Sequence, residues 1–416
     1  MNEISSFVDG SIHGCDKTSR YNSPPYLPDV VGGSLYSHTI CPTARHKNFL
    51  NYDVHNLYGL AETAASFRLL KEVRGKRPFI ISRSTFPGQG HYGGHWSGDN
   101  FATFYDMYKS ISAMLHANMY GIPVSGSDIC GFHQNRSQEL CTRWHQLGAF
   151  YGFSRNHNSD DCLPQDPGQF DAKSIASTRK ILLVRYSLLP YLYTLMWRSH
   201  VFGETVTRPL FFEFPDDQMT YHLDTQFLWG SGLMISPVLT KGARTVKVYF
   251  PMDMWYDFYS GQKVIIKSGQ FLPLPAEFDH INLHIRGGNI LPMQEPAVTT
   301  TISRKKPFWL LVSLGLNQTA NGQLFWDDGD SIDTYEQGNY NLISFIASKS
   351  SLIADPEHVN YHAEPMMLGN VTVFGLSFTP TKVALDGKPI KFSFTKTVLY
   401  IYLKVSFTKA FKITWQ

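Results

Sequence analysis

No stretch of this 416-residue chain is apolar enough to cross a bilayer; Ile181 to Trp197 comes nearest, but Arg185 and Pro190 interrupt it and it reads as a core helix. Charge is scarce as well. Asp, Glu, Lys and Arg make up 17% of the residues with a formal net charge of +3, too little to argue for nucleic acid or an anionic membrane as a partner. Internal repeats and low-complexity tracts are missing. Met1 to Gly10 has neither a basic segment nor an apolar run, so no signal peptide is expected in this chain. Metal-ligand spacing is missing too: His91 and His95 stand four apart but in a glycine-rich loop, which implies neither a helix face nor a metal site. What is plentiful is aromatic surface, 14% of residues, which permits stacking on sugar rings without demanding it.

The length is enough for two or three domains with full cores. Residues 1–52 read as loops rich in Ser, Pro, Gly and Asn. From Val54 to Val73 the apolar residues Leu57, Leu60, Ala64, Phe67 and Leu70 recur at helical spacing, and Arg74-Gly75 ends the run. A strand is expected at 78–82, a helix from Phe101 to Tyr120, a short strand leading to Asp128 and a helix from Ser137 to Phe150. A long helix from about Lys173 to His200, kinked at Pro190, and a strand at Pro209–Phe212 follow. Strands alternating with helices, with polar residues clustered just after the strands, are the signature of a (β/α) barrel. From Tyr221 onward short alternating strands separated by Gly, Pro and Asp turns point to β-sandwich structure, long enough for two units. The fold class is therefore α/β followed by all-β. Asp327, Asp328 and Asp330 could be taken for a metal loop, but turn chemistry explains them better.

One stretch concentrates the chemistry: RPFIISRSTFPGQGHYGGHWSGD, from Arg77 to Asp99. A buried-type strand opens it, Arg83 falls where that strand ends, and five glycines, Tyr92 and Trp96 precede the carboxylate of Asp99. An acid beside an aromatic wall suits a sugar-cleaving site, where the ring faces a pyranose. The plain alternative is that Asp99 caps the helix from Phe101 and Trp96 is core. Five cysteines, at 15, 41, 130, 141 and 162, allow several pairings, and a fully reduced set as well. N-x-S/T acceptor sequences occur at Asn135, Asn317 and Asn370.

ISRSTFPGQGHYGGHWSGDN resembles the acid/base segment of glycoside hydrolase family 31, the α-glucosidases. MNEISSF, GSDICGF at 126–132, LGAFYGFSRNHN at 147–158 and WDDGDSIDTYEQG at 326–338 resemble the family's other signatures, in the family's order and from end to end of the chain. VVGGSL at 30–35, TIC at 39–41 and TTTISRKKP at 299–307 resemble most the lysosomal acid branch. The resemblance implies the C-terminal half of a (β/α)8 TIM barrel over 1–209, a proximal β-sandwich domain over 210–298 and a distal one over 299–416. It pairs Cys15 with Cys41 and Cys130 with Cys141, leaves Cys162 odd, and favours the lysosome or the secretory route with glycans on the three Asn acceptors.

It also implies site roles. Asp99 matches the acid/base and Trp96 an aromatic wall. Arg83 and His157 match residues that hydrogen-bond the terminal glucose, where a guanidinium suits two hydroxyls at once. Asp128, Phe132 and Met1 match residues lining the site. Taken alone, His157 reads as a structural core histidine and Arg83 as a surface ion pair; the motif matches put the functional reading ahead. The family's nucleophile is the Asp immediately before Met-Asn-Glu, which here is residues 1–3, so the nucleophile is absent and would precede Met1; the Pro that follows the motif is Ile4 here. The implied activity is retaining hydrolysis of terminal α-linked glucose in maltose or glycogen-type glucans, with no cofactor and no metal, and with this chain inactive by itself. A non-catalytic carbohydrate-binding paralogue or truncated product is the alternative, and an intestinal-type or endoplasmic-reticulum glucosidase is a rival within the family. A half-barrel leaves open sheet edges and an uncovered core face, so the chain alone is expected to be poorly soluble or to need a partner.

Overall fold

The computed structural model describes residues 2–416; Met1, with its expected place facing the sugar, lies outside the described residues. A small hairpin (β1, Arg45–His46; β2, Phe49–Leu50) and a helical turn (α1, Asn51–Val54) lead into α2, Tyr58–Arg74. Gly75 ends α2 in the left-handed region (φ 61°), its N–H returning to Lys71 O at 3.1 Å. Three short strands then alternate with helices: β3 (Ile81–Ser82), β4 (Gly94–Trp96), α3 (Phe104–Met119), β5 (Ser125–Gly126) and α4 (Gln138–Gly148). The strands pair in parallel in the order β3-β4-β5, as barrel strands do.

The expected long helix is two, α5 (Ala172–Ser187) and α6 (Leu189–Phe202), divided at Leu188. Pro190 sits in the first turn of α6, where its missing N–H leaves no bond unmade, and Leu188 stays in the right-handed helical region (φ −91°, ψ −1°), so the interruption is a single residue at the place where the kink is expected. The expected strand at Pro209–Phe212 is also different. Its extended part is β6, Thr207–Arg208, after which Pro209 opens a helical turn, α7, Leu210–Glu213, closed by Phe214 N–H on Leu210 O. Moreover β6 pairs antiparallel with Phe227–Trp229, so it belongs to the sheet that follows the barrel.

That sheet has five strands and faces a two-stranded ribbon of Thr245–Phe250 and Gln270–Pro275; Val248 and Phe250 of the ribbon meet Leu228, Met234 and Trp255 of the sheet in one core. The distal unit is one eleven-stranded sheet rather than two separate ones. It curls so that Leu324, Ile343 and Phe345 from one stretch pack in the same core as Val371, Leu399 and Ile401 from another. Asn289–Gln294, expected in the proximal unit, hydrogen-bonds into this distal sheet, pairing with Phe308–Ser313 and with Asn321.

Met107, Ile111 and Met114 of α3, Trp144 and Leu147 of α4 and Leu192 of α6 are buried together with Phe227, Trp229 and Ile235, so barrel helices and proximal sheet share a core. Helix α2 is the exception. It buries only Gly59 and Thr63, while Leu69 and Val73 are 59% and 73% exposed and Phe79 just beyond is 65% exposed. Strand β3 beside it is hydrogen-bonded on one side alone among the described residues.

Candidate active site

The three parallel strands deliver the predicted residues to one end. Arg83 directly follows β3, Asp99 comes three residues after β4, and Asp128 two residues after β5, so all three lie beyond the C-terminal ends of their strands, where barrel enzymes carry their chemistry. Asp99 does not cap the following helix; Thr103 does, its hydroxyl accepting Asp106 N–H at 3.0 Å. The Asp99 carboxylate is instead about a third exposed (32%), with Oδ2 3.9 Å from Nη1 of Arg83. Nη2 of Arg83 is bound to Glu3 of the Met-Asn-Glu segment. Gly98 makes this approach possible: it sits at φ 83°, and a Cβ there would stand 2.8 Å from Arg83 Cδ.

Asp128 is fully buried and bridged by Arg155, whose Nε and Nη2 reach Oδ1 at 3.1 and 2.6 Å. Burial pushes the Asp128 carboxyl above its ordinary value; Arg155 and His157 work in the opposite direction, and Asp99 works with burial. The same guanidinium lies 5.3 Å from the Trp96 ring, so Trp96 is buried beneath a cation rather than open to solvent. Arg155 thus joins β4, which carries Trp96, to the loop after β5. It was not among the residues picked from the sequence, although it stands in the 147–158 motif two positions before His157.

Asn100 was missed as well. Its Nδ2 donates to Asp128 O at 3.1 Å and its Oδ1 accepts Phe132 N–H at 3.0 Å, clasping the Asp99 loop to the 126–132 loop. Phe132 packs against the exposed His157, with ring centroids 5.2 Å apart. An open recess of about 300 Å³ adjoins Asp99, lined by Ser97, Asn100, Phe101, Asp106 and Lys109 among others.

Both implied disulfides are present, Cys15–Cys41 and Cys130–Cys141, and Cys162 is free with its Sγ 3.7 Å from Phe132 O. Cys130–Cys141 ties the Asp128 loop to α4. His145 of α4 lies against both sulfurs, and burial lowers its pKa. Disulfide sulfurs are not thiolates, so this grouping is not a ready metal site. Asn135 and Asn317 are exposed in loops; Asn370 is half-buried in mid-strand, opposite Trp309 and Tyr402.

Similar proteins give this arrangement its context. Residues 1–195 match the glycosyl hydrolases family 31 TIM-barrel domain and residues 203–291 the glycosyl hydrolase family 31 C-terminal domain. Lysosomal alpha-glucosidase of Bos taurus is 45% identical over all of this chain, which spans 46% of that protein; intestinal sucrase-isomaltase of Homo sapiens is also 45% identical over all of it, which is 23% of that protein. The chain therefore spans less than half the length of these relatives. Among solved structures, glucosidase II alpha subunit superposes over 91% of this chain and 44% of its own, with TM-score 0.84 and 28% identity. A Flavobacterium johnsoniae GH31 dextranase complexed with glucose superposes over 89% and 50%, with TM-score 0.81 and 26% identity. Two family domains in succession, relatives of one kind along the whole chain, and an acidic residue presented beyond parallel strands agree: the chain belongs to glycoside hydrolase family 31.

Proposed function

We propose that this chain is the C-terminal half of the catalytic barrel, with the proximal and distal β-domains, of a retaining α-glucosidase that releases terminal non-reducing α-linked glucose from maltose and glycogen-type glucans. The observation that carries the reading is the grouping of Asp99, Arg83 and the Asp128–Arg155 pair beyond three adjacent parallel strands. Asp99 protonates the departing glycosidic oxygen, then takes a proton from the water that frees the sugar. Arg83 and His157 hold hydroxyls of the bound glucose. Asp128 and Phe132 shape its pocket. Trp96 stiffens the wall through Arg155.

Retention needs a second carboxylate roughly 5–5.5 Å from the first. Glu3 is engaged by Arg83, so the nucleophile is assigned to the residue adjoining Met1, as the family pattern implies. Without that carboxylate no covalent glycosyl intermediate forms, and residues 1–416 alone are inactive. The high identity to lysosomal alpha-glucosidases and the two disulfides support a lysosomal or secretory setting, with glycans on Asn135, Asn317 and Asn370.

The test is to take the natural polypeptide bearing this sequence from cells, determine its intact mass and N-terminal sequence, and assay it on maltose, isomaltose and glycogen. Glucose release, blocked by a glucose-mimicking iminosugar, supports the reading. Iminosugar binding with no turnover supports a carbohydrate-binding protein instead. Neither binding nor turnover overturns both.

A further inference from the structure

The segment WDDGDSIDTYEQG stands out in the sequence yet has no part in the site described above. It lies in the distal β-unit, and its contacts reach back about 250 positions to the residues just before β3. Arg77 is the centre. Its backbone N–H binds Asp330 O at 2.9 Å, Nε binds Ser331 O at 2.7 Å, Nη1 binds Tyr193 Oη at 2.6 Å, and Nη2 binds Asp327 Oδ2 at 2.5 Å and Thr334 Oγ1 at 2.6 Å. Asp327 is fully buried and saturated: Tyr193 Oη and Gly329 N–H donate to Oδ1 at 2.6 and 2.8 Å, and Arg77 and Thr334 to Oδ2. Burial works to raise its pKa, but those hydrogen bonds outweigh it and hold the carboxyl below its ordinary value. Asp328 closes a turn on the N–H groups of Asp330 and Ser331, which accounts for the aspartate cluster without a metal.

Arg77 begins the run that ends at Arg83. Only Pro78 to Ser82 intervene, and the first of these has its φ fixed by its ring. Strand β3 in this run is an edge strand, paired among the described residues with β4 alone and through just two residue pairs, so its ladder by itself holds it weakly. Its far end is pinned by Asn2, whose side chain accepts Ser84 N–H and donates to Ser84 O, both at 3.2 Å. Its near end is pinned by the distal loop. Five residues join the Arg77 anchor to Arg83, whose guanidinium stands beside Asp99.

We propose that Asp327 and Arg77 are positioning residues for the glucosidase site, the distal loop fixing the register of β3 and so the reach of Arg83; this rests on the glucose-holding role assigned to Arg83. Neither residue touches substrate. The distal β-unit is thereby a working part of the site.

The experiment uses the natural, complete polypeptide carrying Asp327→Asn, Thr334→Val or, as a control on an exposed ion pair of the same loop, Lys71→Gln, which loses the contact to Asp333. Hydrogen exchange of the 78–84 peptide is read beside KM and kcat on maltose and the inhibition constant of a glucose-mimicking iminosugar. Asp327→Asn is expected to speed exchange at 78–84 and to raise KM and the inhibition constant about tenfold with kcat changed less than about threefold, the mark of lost uniform binding. Lys71→Gln changes none of these. If Asp327→Asn does not fold, Thr334→Val, which removes one hydrogen bond from the same carboxylate, is expected to show the same pattern at smaller size. Unchanged exchange and unchanged KM with only a lower melting temperature overturn the proposal. Should the unaltered polypeptide cleave no α-glucoside, the glucosidase reading fails, and the exchange measurement alone decides whether the loop sets β3.

Discussion

Nη1 of Arg83 stands 3.9 Å from Oδ2 of Asp99, while Nη2 of the same guanidinium is bound to Glu3. One cation thus links the end of one barrel strand to the loop after the next and to the Met-Asn-Glu segment. More than a third of its side chain stays exposed (37%).

That closeness depends on Gly98. In Gly98→Ala the left-handed backbone is strained by about 1–3 kcal/mol, and the new methyl displaces Arg83. The expected result is a lower denaturation midpoint together with weaker iminosugar binding, read by calorimetry on the same sample. A variant that loses stability but binds as before contradicts the arrangement.

Arg155 offers a pH test. Because burial raises the Asp128 carboxyl, the folded state holds that proton more tightly than the unfolded one. Asp128 therefore costs stability as pH rises from the ordinary carboxylate range through its raised value. Arg155→Met removes the opposing charge and raises it further. The loss at neutral pH is expected to be about 2–3 kcal/mol, below that for a wholly buried pair because Arg155 is partly exposed. Below the ordinary carboxylate range, where Asp128 is protonated in both states, the loss shrinks. Urea unfolding of both proteins at acid and neutral pH checks this, and a pH-independent difference would contradict it.

The Cys130–Cys141 bridge closes a short loop, with a sequence separation of 11, that carries Phe132. Replacing both cysteines by serine is expected to cost about 2–3 kcal/mol by chain entropy. It should also speed proteolysis within 128–136, measured by mass spectrometry of timed digests.

Residues 1–416 made alone are expected to self-associate. Helix α2 turns Leu69 and Val73 outward, Phe79 follows, and β3 is paired on one side alone among the described residues. Light scattering after size exclusion reads this directly; a monodisperse monomer with a cooperative melt would sink the expectation.

What the sequence made legible was local. The Arg77–Asp99 stretch packs strand, glycines, aromatic and acid into one short run, so Arg83 and Asp99 were readable together. Helical periodicity located α2, α3 and α4 to within a few residues. Arg155 was hidden because a bridge to Asp128 depends on two strand ends lying side by side, which no spacing records. The Arg77–Asp327 pair spans 250 positions and is invisible to any local pattern. The interruption at Leu188 was readable from Pro190, since a proline cannot donate the backbone hydrogen bond that would continue the preceding helix. The curl of the distal sheet was out of reach, since alternation marks a buried face without saying what covers it.

The most direct measurement is the turnover of the natural polypeptide and its Asp99→Asn variant on maltose, with the anomer of the first-formed glucose followed by NMR. The account predicts α-glucose as the initial product, and a loss of about 10²–10⁴-fold in kcat in the variant, smaller on substrates with a good leaving group that needs no proton. Initial β-glucose, or turnover that survives the loss of Asp99, would contradict it.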